Sequence, residues 1–301
     1  MHNIKKTFDR FYMIINNLLK DTVDNKGNFK KLGRHPKFSD IEVIALSLTS
    51  EALSIDSENN LFMKLNTEYK KQFPNLIHRS KYNIRRRKLF RQIESVRKIL
   101  SDKIIKTENI YIIDSMPLEI CKLSRANRAK ICREDFETLP DKGFCASQNT
   151  YYYGYKLHGL CSINGVFTSY DLTKASVHDI HYLQDIKKKI SNAFILGDKA
   201  YLSEEIQTDL FHSENITIQT PLRSNQDNYK KQPYILRKSR KRIETLFSQL
   251  CDQFMIRRNY AKSFDGFRTR IISKISALTI LQYINKFINH RPVNFIKYAL
   301  A

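Results

Sequence analysis

The sequence predicts an α/β fold preceded by an all-helical domain, and three observations predict it. The first hundred residues carry apolar side chains at the three-and-four spacing of amphipathic helices. At Ile110 the pattern changes to short β-type runs. From there the order reads strand, hairpin, helix, strand, helix, strand, helix, which describes an antiparallel flap beside parallel strands. The boundary falls near residue 105, dividing the chain into a helical region, 1–105, and an α/β domain, 106–301.

The elements follow in order. Phe8, Phe11, Ile14, Ile15, Leu18 and Leu19 make the stripe of a first helix. "SDIE", Ser39 to Glu42, is a capping box that opens a second, with Ile41, Ile44, Ala45 and Leu48 on one face. A third helix spans about 59–73 and stops near Pro74. A fourth begins near Ser80 and runs through "IRRRKLFRQIESVRKIL". "IYIID" then reads as a strand ending on Asp114, with Pro117 soon after. Residues 115–150 read as a long, basic, irregular insertion. Two strands joined at Asn164-Gly165 form a hairpin, because both residues tolerate positive φ. A helix over 178–190, the strand "AFILGD", a helix opened by Ser203, the strand "ITIQTP" and a long helix from about Arg237 past Phe254 complete the reading.

Composition narrows the function. The chain has 301 residues, 42% hydrophobic and 27% charged with 8 Gly and 7 Pro, which describes a globular protein rather than a disordered or collagen-like one. The excess of Lys and Arg leaves a formal charge of +22, which calls for an anionic partner. Nucleic acid fits better than a membrane surface, because the basic residues are spread over the whole chain rather than gathered on one amphipathic arm. The five cysteines form no C-x-x-C pair, so they predict neither a zinc ribbon nor a disulfide framework and suit reduced thiols in a cytoplasm. No run approaches eighteen apolar residues, so no membrane span is expected. Arg85, Arg86 and Arg87, with Lys88 and Arg91, make the fourth helix intensely basic. They are candidates for phosphate contact, against the ordinary alternative of a solvated helix face.

Three acids stand where a fold would gather them. Asp114 and Asp198 end strands 84 residues apart, and parallel strand ends meet on one edge, where ligands usually bind. Glu244 lies beside the apolar stripe Ile243, Leu246, Phe247, Leu250 and Phe254, able to face the sheet edge. Converging carboxylates raise one another's pKa and call for a cation. A hard divalent ion such as Mg²⁺, with Mn²⁺ as a substitute, takes such oxygen ligands. A pair of ions roughly 4 Å apart activates an attacking hydroxyl and steadies the leaving oxygen of a phosphodiester.

The segments "IIDSMPLEICK", "GFCASQNTYYYGYKLHGL", "ASVHD", "ILGDKAY" and "RKRIETLFSQL" together give the chain a resemblance to insertion-sequence transposases of the DDE type. The group it most resembles is the one numbered nine hundred and eighty-two. The resemblance implies a ribonuclease-H-like mixed sheet flanked by helices in the second domain and DNA binding in the first. It also implies metal-dependent cleavage and strand transfer at element ends, and a homodimer when assembled on DNA. The family's acids fall on Asp114, Asp198 and Glu244, and Arg240 fits an Arg position four residues before the last acid. Arg237 and Cys251 stand where many relatives have Tyr and Lys. Lys156, His158, His178 and Asp179 match family positions around the hairpin, and Lys199 follows the second acid. These read as DNA-contacting or supporting groups, although a histidine on an alternating strand is ordinarily structural and His178-Asp179 equally suits a helix cap. Two other readings stand beside this one: a ribonuclease-H-like nuclease that cuts without joining, and a DNA-binding repressor derived from a transposase.

Overall fold

The computed structural model of the protein describes residues 3–30, 33, 35–106, 108–222 and 232–300. The chain forms two compact units. One comprises residues 1–103 with 250–301, and the other residues 104–249.

The first unit is helical. It holds α1 (Ile4–Leu19), α2 (Asp40–Ala52), α3 (Glu58–Thr67), α4 (Arg79–Lys88) and α5 (Phe90–Ile105), the last of which carries the chain into the second unit. The capping box is made: Ser39 Oγ accepts from Glu42 N, and Glu42 accepts from Ser39 N. The fourth predicted helix is two, because the chain breaks at Leu89, where φ −91° and ψ 12° leave the helical region. A long C-terminal helix, Phe264–Phe287, belongs to this unit rather than to the sheet; it is labelled α9 below. It is buried nearly all round and packs on α2, with Ser47 Oγ and Ser273 Oγ 3.0 Å apart. A helix buried on every side must be enclosed, and α2 and α4 pack against this one, with its Arg270 and Lys274 paired to Glu51 of α2.

Among the described residues the second unit is a six-stranded mixed sheet with flanking helices. Its strands are β1 (Ile110–Cys121), β2 (Asp141–Cys145), β3 (Thr150–Ser162), β4 (Phe167–Lys174), β5 (Ala193–Leu196) and β6 (Ile216–Gln219). Between them lie α6 (Tyr182–Ile186) and α7 (Glu204–Glu214), and α8 (Tyr234–Asp252) leads out of the unit. β3 pairs antiparallel with β1 on one edge, while β2 and β4 share its other edge end to end. β5 runs parallel to β1, and β6 parallel to β5. On one face, Tyr111, Ile113, Ile195 and Ile218 pack with Leu183 and Ile186 of α6 and Leu210 of α7.

Three differences from the sequence reading bear on the site. β1 does not end on Asp114 but continues to Cys121 through Pro117. Beyond Ile112 it is paired only with β3, and a strand open on one edge tolerates a proline whose missing donor falls there. The insertion 115–150 is irregular only in part, since it includes the end of β1 and the whole of β2. The helix expected over 178–190 is a 3-10 turn, Asp179–His181, followed by the five residues of α6.

Candidate active site

The acids are positioned by register. In the parallel pair, Ile110 lies opposite Phe194, Tyr111 opposite Ile195 and Ile112 opposite Leu196. That constant offset carries Asp114 level with Asp198, just past the end of β5. Gly197 keeps the two strand ends close, because a Cβ there would sit 3.1 Å from Ile113 Cγ2 and 3.3 Å from the Tyr201 ring. Asp198 Oδ1 accepts from Ala200 N at 2.8 Å and caps the short turn Lys199–Tyr201. The everyday turn-capping role of a strand-end Asp is thus real, and it occupies one of the two carboxylate oxygens.

Asp114 is the perturbed group. Burial pushes its carboxyl up to about 7; the Ser115 N–H bond opposes this, the Asp198 carboxylate adds to it, Arg240 opposes and Asp179 adds. Its Oδ1 accepts from Ser115 N at 2.8 Å. Three carboxylates therefore share one electrostatic neighbourhood with one guanidinium. Tyr201, buried among the same three acids, has its phenol raised well above its ordinary value, first by burial and then by those charges.

Asp179 was a family position rather than a predicted site acid, and it turns out to neighbour Asp114. The signal is "HD" four residues past the end of β4, but a helix-cap reading explains it equally well. Asp179 Oδ1 lies 3.0 Å from Lys156 Nζ and 3.7 Å from His158 Nδ1. Lys156 also donates to Val177 O at 2.8 Å. His158 is fully buried, with Nε2 2.9 Å from Thr173 Oγ1. Burial pushes its pKa down to about 4 despite the Asp179 carboxylate, with Lys156 adding to the fall, so the ring is neutral at neutral pH. Lys156 thus holds Asp179, while the neutral His158 ring lies beside it at 3.7 Å without a hydrogen bond. His178 is exposed and caps the turn after it by accepting from Ile180 N. Lys199 is exposed beside Asp198.

α8 approaches the sheet through Gly159, the residue opposite Asp114 in the β1–β3 pair. A Cβ at Gly159 would fall 2.8 Å from Phe167 Cε1 and 3.4 Å from the Phe247 ring. Directly opposite residues point to the same face, so Asp114 faces the side on which α8 packs. Arg240, two turns before Phe247, reaches the field of Asp114. Glu244 does not join the other acids: it is exposed, about 40° round the helix from Arg240 and farther from the buried stripe. Among the described residues, no group of three His, Cys, Asp or Glu side chains is close enough to hold a metal ion.

The arginines of α4 are corrected most. Arg86 is 3% exposed, 2.9 Å from Glu58 and 3.8 Å from Glu51. Arg85 pairs with Asp40 at 2.6 Å and donates to Phe38 O. Neither guanidinium is available to phosphate in this conformation, because each is committed to carboxylates or carbonyls of its own unit. Arg87 is half-buried and Lys88 exposed.

A family model described as transposase DDE domain matches residues 105–280, more than half of the chain. The chain belongs to the transposase DDE domain family. The matched span takes in Asp114, Asp179, Asp198, Arg240 and Glu244. Among solved structures, the "Mos1 transposase paired-end complex with left transposon end" is similar at 13% identity, covering 93% of this chain and 97% of that one, with a TM-score of 0.25. No curated protein matches. No helix among the described residues is long and apolar enough to cross a membrane.

Proposed function

We propose that this transposase is a cytoplasmic enzyme, related to group nine hundred and eighty-two, that binds the ends of an insertion sequence. It hydrolyses a phosphodiester at each boundary and joins the freed 3′ hydroxyl to target DNA. The observation that supports this reading best is the pair Asp114 and Asp198, level on adjacent parallel strands beside Arg240. A buried Asp114 carboxyl pushed up to about 7 beside a second carboxylate is an unmet demand for positive charge, and their oxygen-only chemistry suits Mg²⁺ or Mn²⁺. Asp114 and Asp198 would hold the metal, with Glu244 as the third acid, brought in by a change of rotamer or a shift of α8. When bound, such an ion supplies Lewis acidity for attack on a phosphodiester.

The chain's own groups do the rest. Arg240 offsets the carboxylates and is placed to orient a phosphate, and exposed Lys199 adds a cation at the same edge. Lys156 fixes Asp179 through their ion pair, which keeps the acidic edge in shape. The helical unit supplies contact with the element end, and the joining of two ends calls for a dimer on DNA.

Cleavage of a labelled element-end duplex by Asp114→Asn, Asp198→Asn and Glu244→Gln, beside a gel shift on each preparation, tests the reading. All three should lose metal-dependent cleavage and keep DNA binding. Normal cleavage by Asp198→Asn overturns the site, and cleavage without joined product by the unaltered protein leaves a nuclease.

A further inference from the structure

The helical unit contains a cleft of about 610 Å³ whose wall is cationic. Behind it lies a buried ion network: Glu51 takes Lys274 at 2.6 Å, Arg270 at 3.3 Å and Arg86 at 3.8 Å, and Glu58 takes Arg86 at 2.9 Å. Arg86 and Arg270 line the cleft and are 3% and 4% exposed, and each has an Nε with no hydrogen-bond partner. A buried donor without an acceptor is costly. Arg79, Arg87 and Lys262 line the same cleft, and Arg87 too has an unpartnered Nε. Arg79, Arg86, Arg87, Lys262, Arg270 and Lys274 thus stand against Glu51, Glu58 and Asp56, while Asp265 in the first turn of α9 is paired with Arg268 at 2.8 Å. The cleft also opens at the N-terminus of α9, where Ser263 accepts from Gly266 N, and an anion is favoured at such a helix start. Tyr260, largely exposed on the same lining, offers a ring face, with its hydroxyl 3.3 Å from Asp56.

We propose that this cleft binds a phosphate-bearing nucleotide unit, with the phosphate held by Arg87 and Lys262 at the start of α9 and the base against Tyr260. The volume lies in the range of ordinary nucleotide-sized pockets, and stacking on an aromatic ring is the usual sequence-tolerant contact to a base. The choice of a nucleic-acid strand over a free nucleotide rests on the transposase reading; the anion site itself rests on the cleft.

The test compares Arg87→Gln/Lys262→Gln, which leaves the buried network intact, with Lys98→Gln/Lys103→Gln, an equal charge change on exposed positions of α5. Binding of a labelled oligonucleotide is titrated against salt, and melting temperature is followed with adenosine monophosphate and with pyrophosphate. The cleft variant should bind the oligonucleotide at least tenfold more weakly than the control variant and lose about one to two from the slope of log K against log salt. If the unaltered protein binds no oligonucleotide, the transposase reading fails separately. A melting shift by adenosine monophosphate or pyrophosphate, absent in the cleft variant, then keeps the site and makes free nucleotide its source. Equal behaviour of the two double variants with every probe overturns the proposal.

Discussion

Gly159 lies directly opposite Asp114 in the antiparallel β1–β3 pair, and the space its missing side chain leaves is filled by the rings of Phe167 and Phe247, 6.2 Å apart. The residue across from the perturbed acid therefore sets how closely α8, with Arg240 and Glu244, approaches the sheet. A Cβ there would come within 2.8 Å of Phe167, too close without movement. Gly159→Ala should cost about 1–3 kcal/mol as an overpacked core position, read from the urea midpoint. Gly159→Val should cost more and weaken cleavage further. An unchanged midpoint in both would mean the rings are not the stop against which α8 rests.

Within α4, neighbouring arginines should behave oppositely. Removing Arg86 strips a buried partner from Glu51 and Glu58, so Arg86→Ala should cost about 3–5 kcal/mol. Lys88→Ala, on the exposed side, should stay within about 0.5 kcal/mol. Equilibrium denaturation distinguishes the two, and equal small effects would return the whole run to a solvated face.

That contrast shows what the sequence can and cannot disclose. The capping box at Ser39 and the hairpin turn at Asn164-Gly165 are local chemistry, and both are found where they were read, Gly165 with φ +79°. The meeting of Asp114 with Asp198 needed only the inference that two strands run parallel. The inward turn of Arg85 and Arg86 depends on Asp40, Glu51 and Glu58, acids 28 to 45 residues away, and no periodicity reports such a pairing. β2, "DKGFC", has neither alternation nor β-branched residues, and it is a strand because β3 offers it an edge. The place of α9 in the first unit is not legible in the sequence, because its buried Arg270 and Lys274 find their carboxylate partner in Glu51, more than 200 residues earlier. Glu244 was assigned by its distance from the apolar stripe, which fixes an angle on the helix but not where a long side chain ends.

Two buried groups should pull the pH dependence of stability in opposite directions. His158 is pushed down to about 4 in the fold from an ordinary 6.5. As pH falls below about 6.5 the unfolded chain takes up this proton first, so the His158 contribution to stability is lost progressively towards pH 4. Asp114 is pushed up to about 7 from an ordinary 3.8. As pH falls from above 7 the folded chain takes up that proton first, so stability is gained down to about pH 4. At about 1.4 kcal/mol per pKa unit the two effects are of similar size and largely cancel between pH 4 and 6.5. Acidification from pH 7.5 to 5 should therefore stabilise His158→Gln and destabilise Asp114→Asn relative to the unaltered protein, measured by urea midpoints. Parallel trends in the two variants would show that these groups do not carry the effect.

The last expectation sets stability against function at the same residue. A carboxyl pushed up to about 7 is strained in its charged form, so Asp114→Asn should stabilise the metal-free protein at pH 8, by a few kcal/mol at most, and so raise its melting temperature. The same change removes a ligand from the proposed metal site. Mg²⁺ or Mn²⁺ should therefore raise the melting temperature of the unaltered protein, since a ligand that binds only the folded state stabilises it. The variant should show little or no rise. Asp198→Asn should also lose the metal-induced rise, whereas Lys98→Gln/Lys103→Gln should keep it. Both halves follow from one cause: an acid held where its charge is costly until a cation shares it. A metal response that survives in Asp114→Asn would detach the ion from this edge of the sheet, and a fall in metal-free stability would mean that Asp114 is satisfied by Arg240 and Ser115 alone.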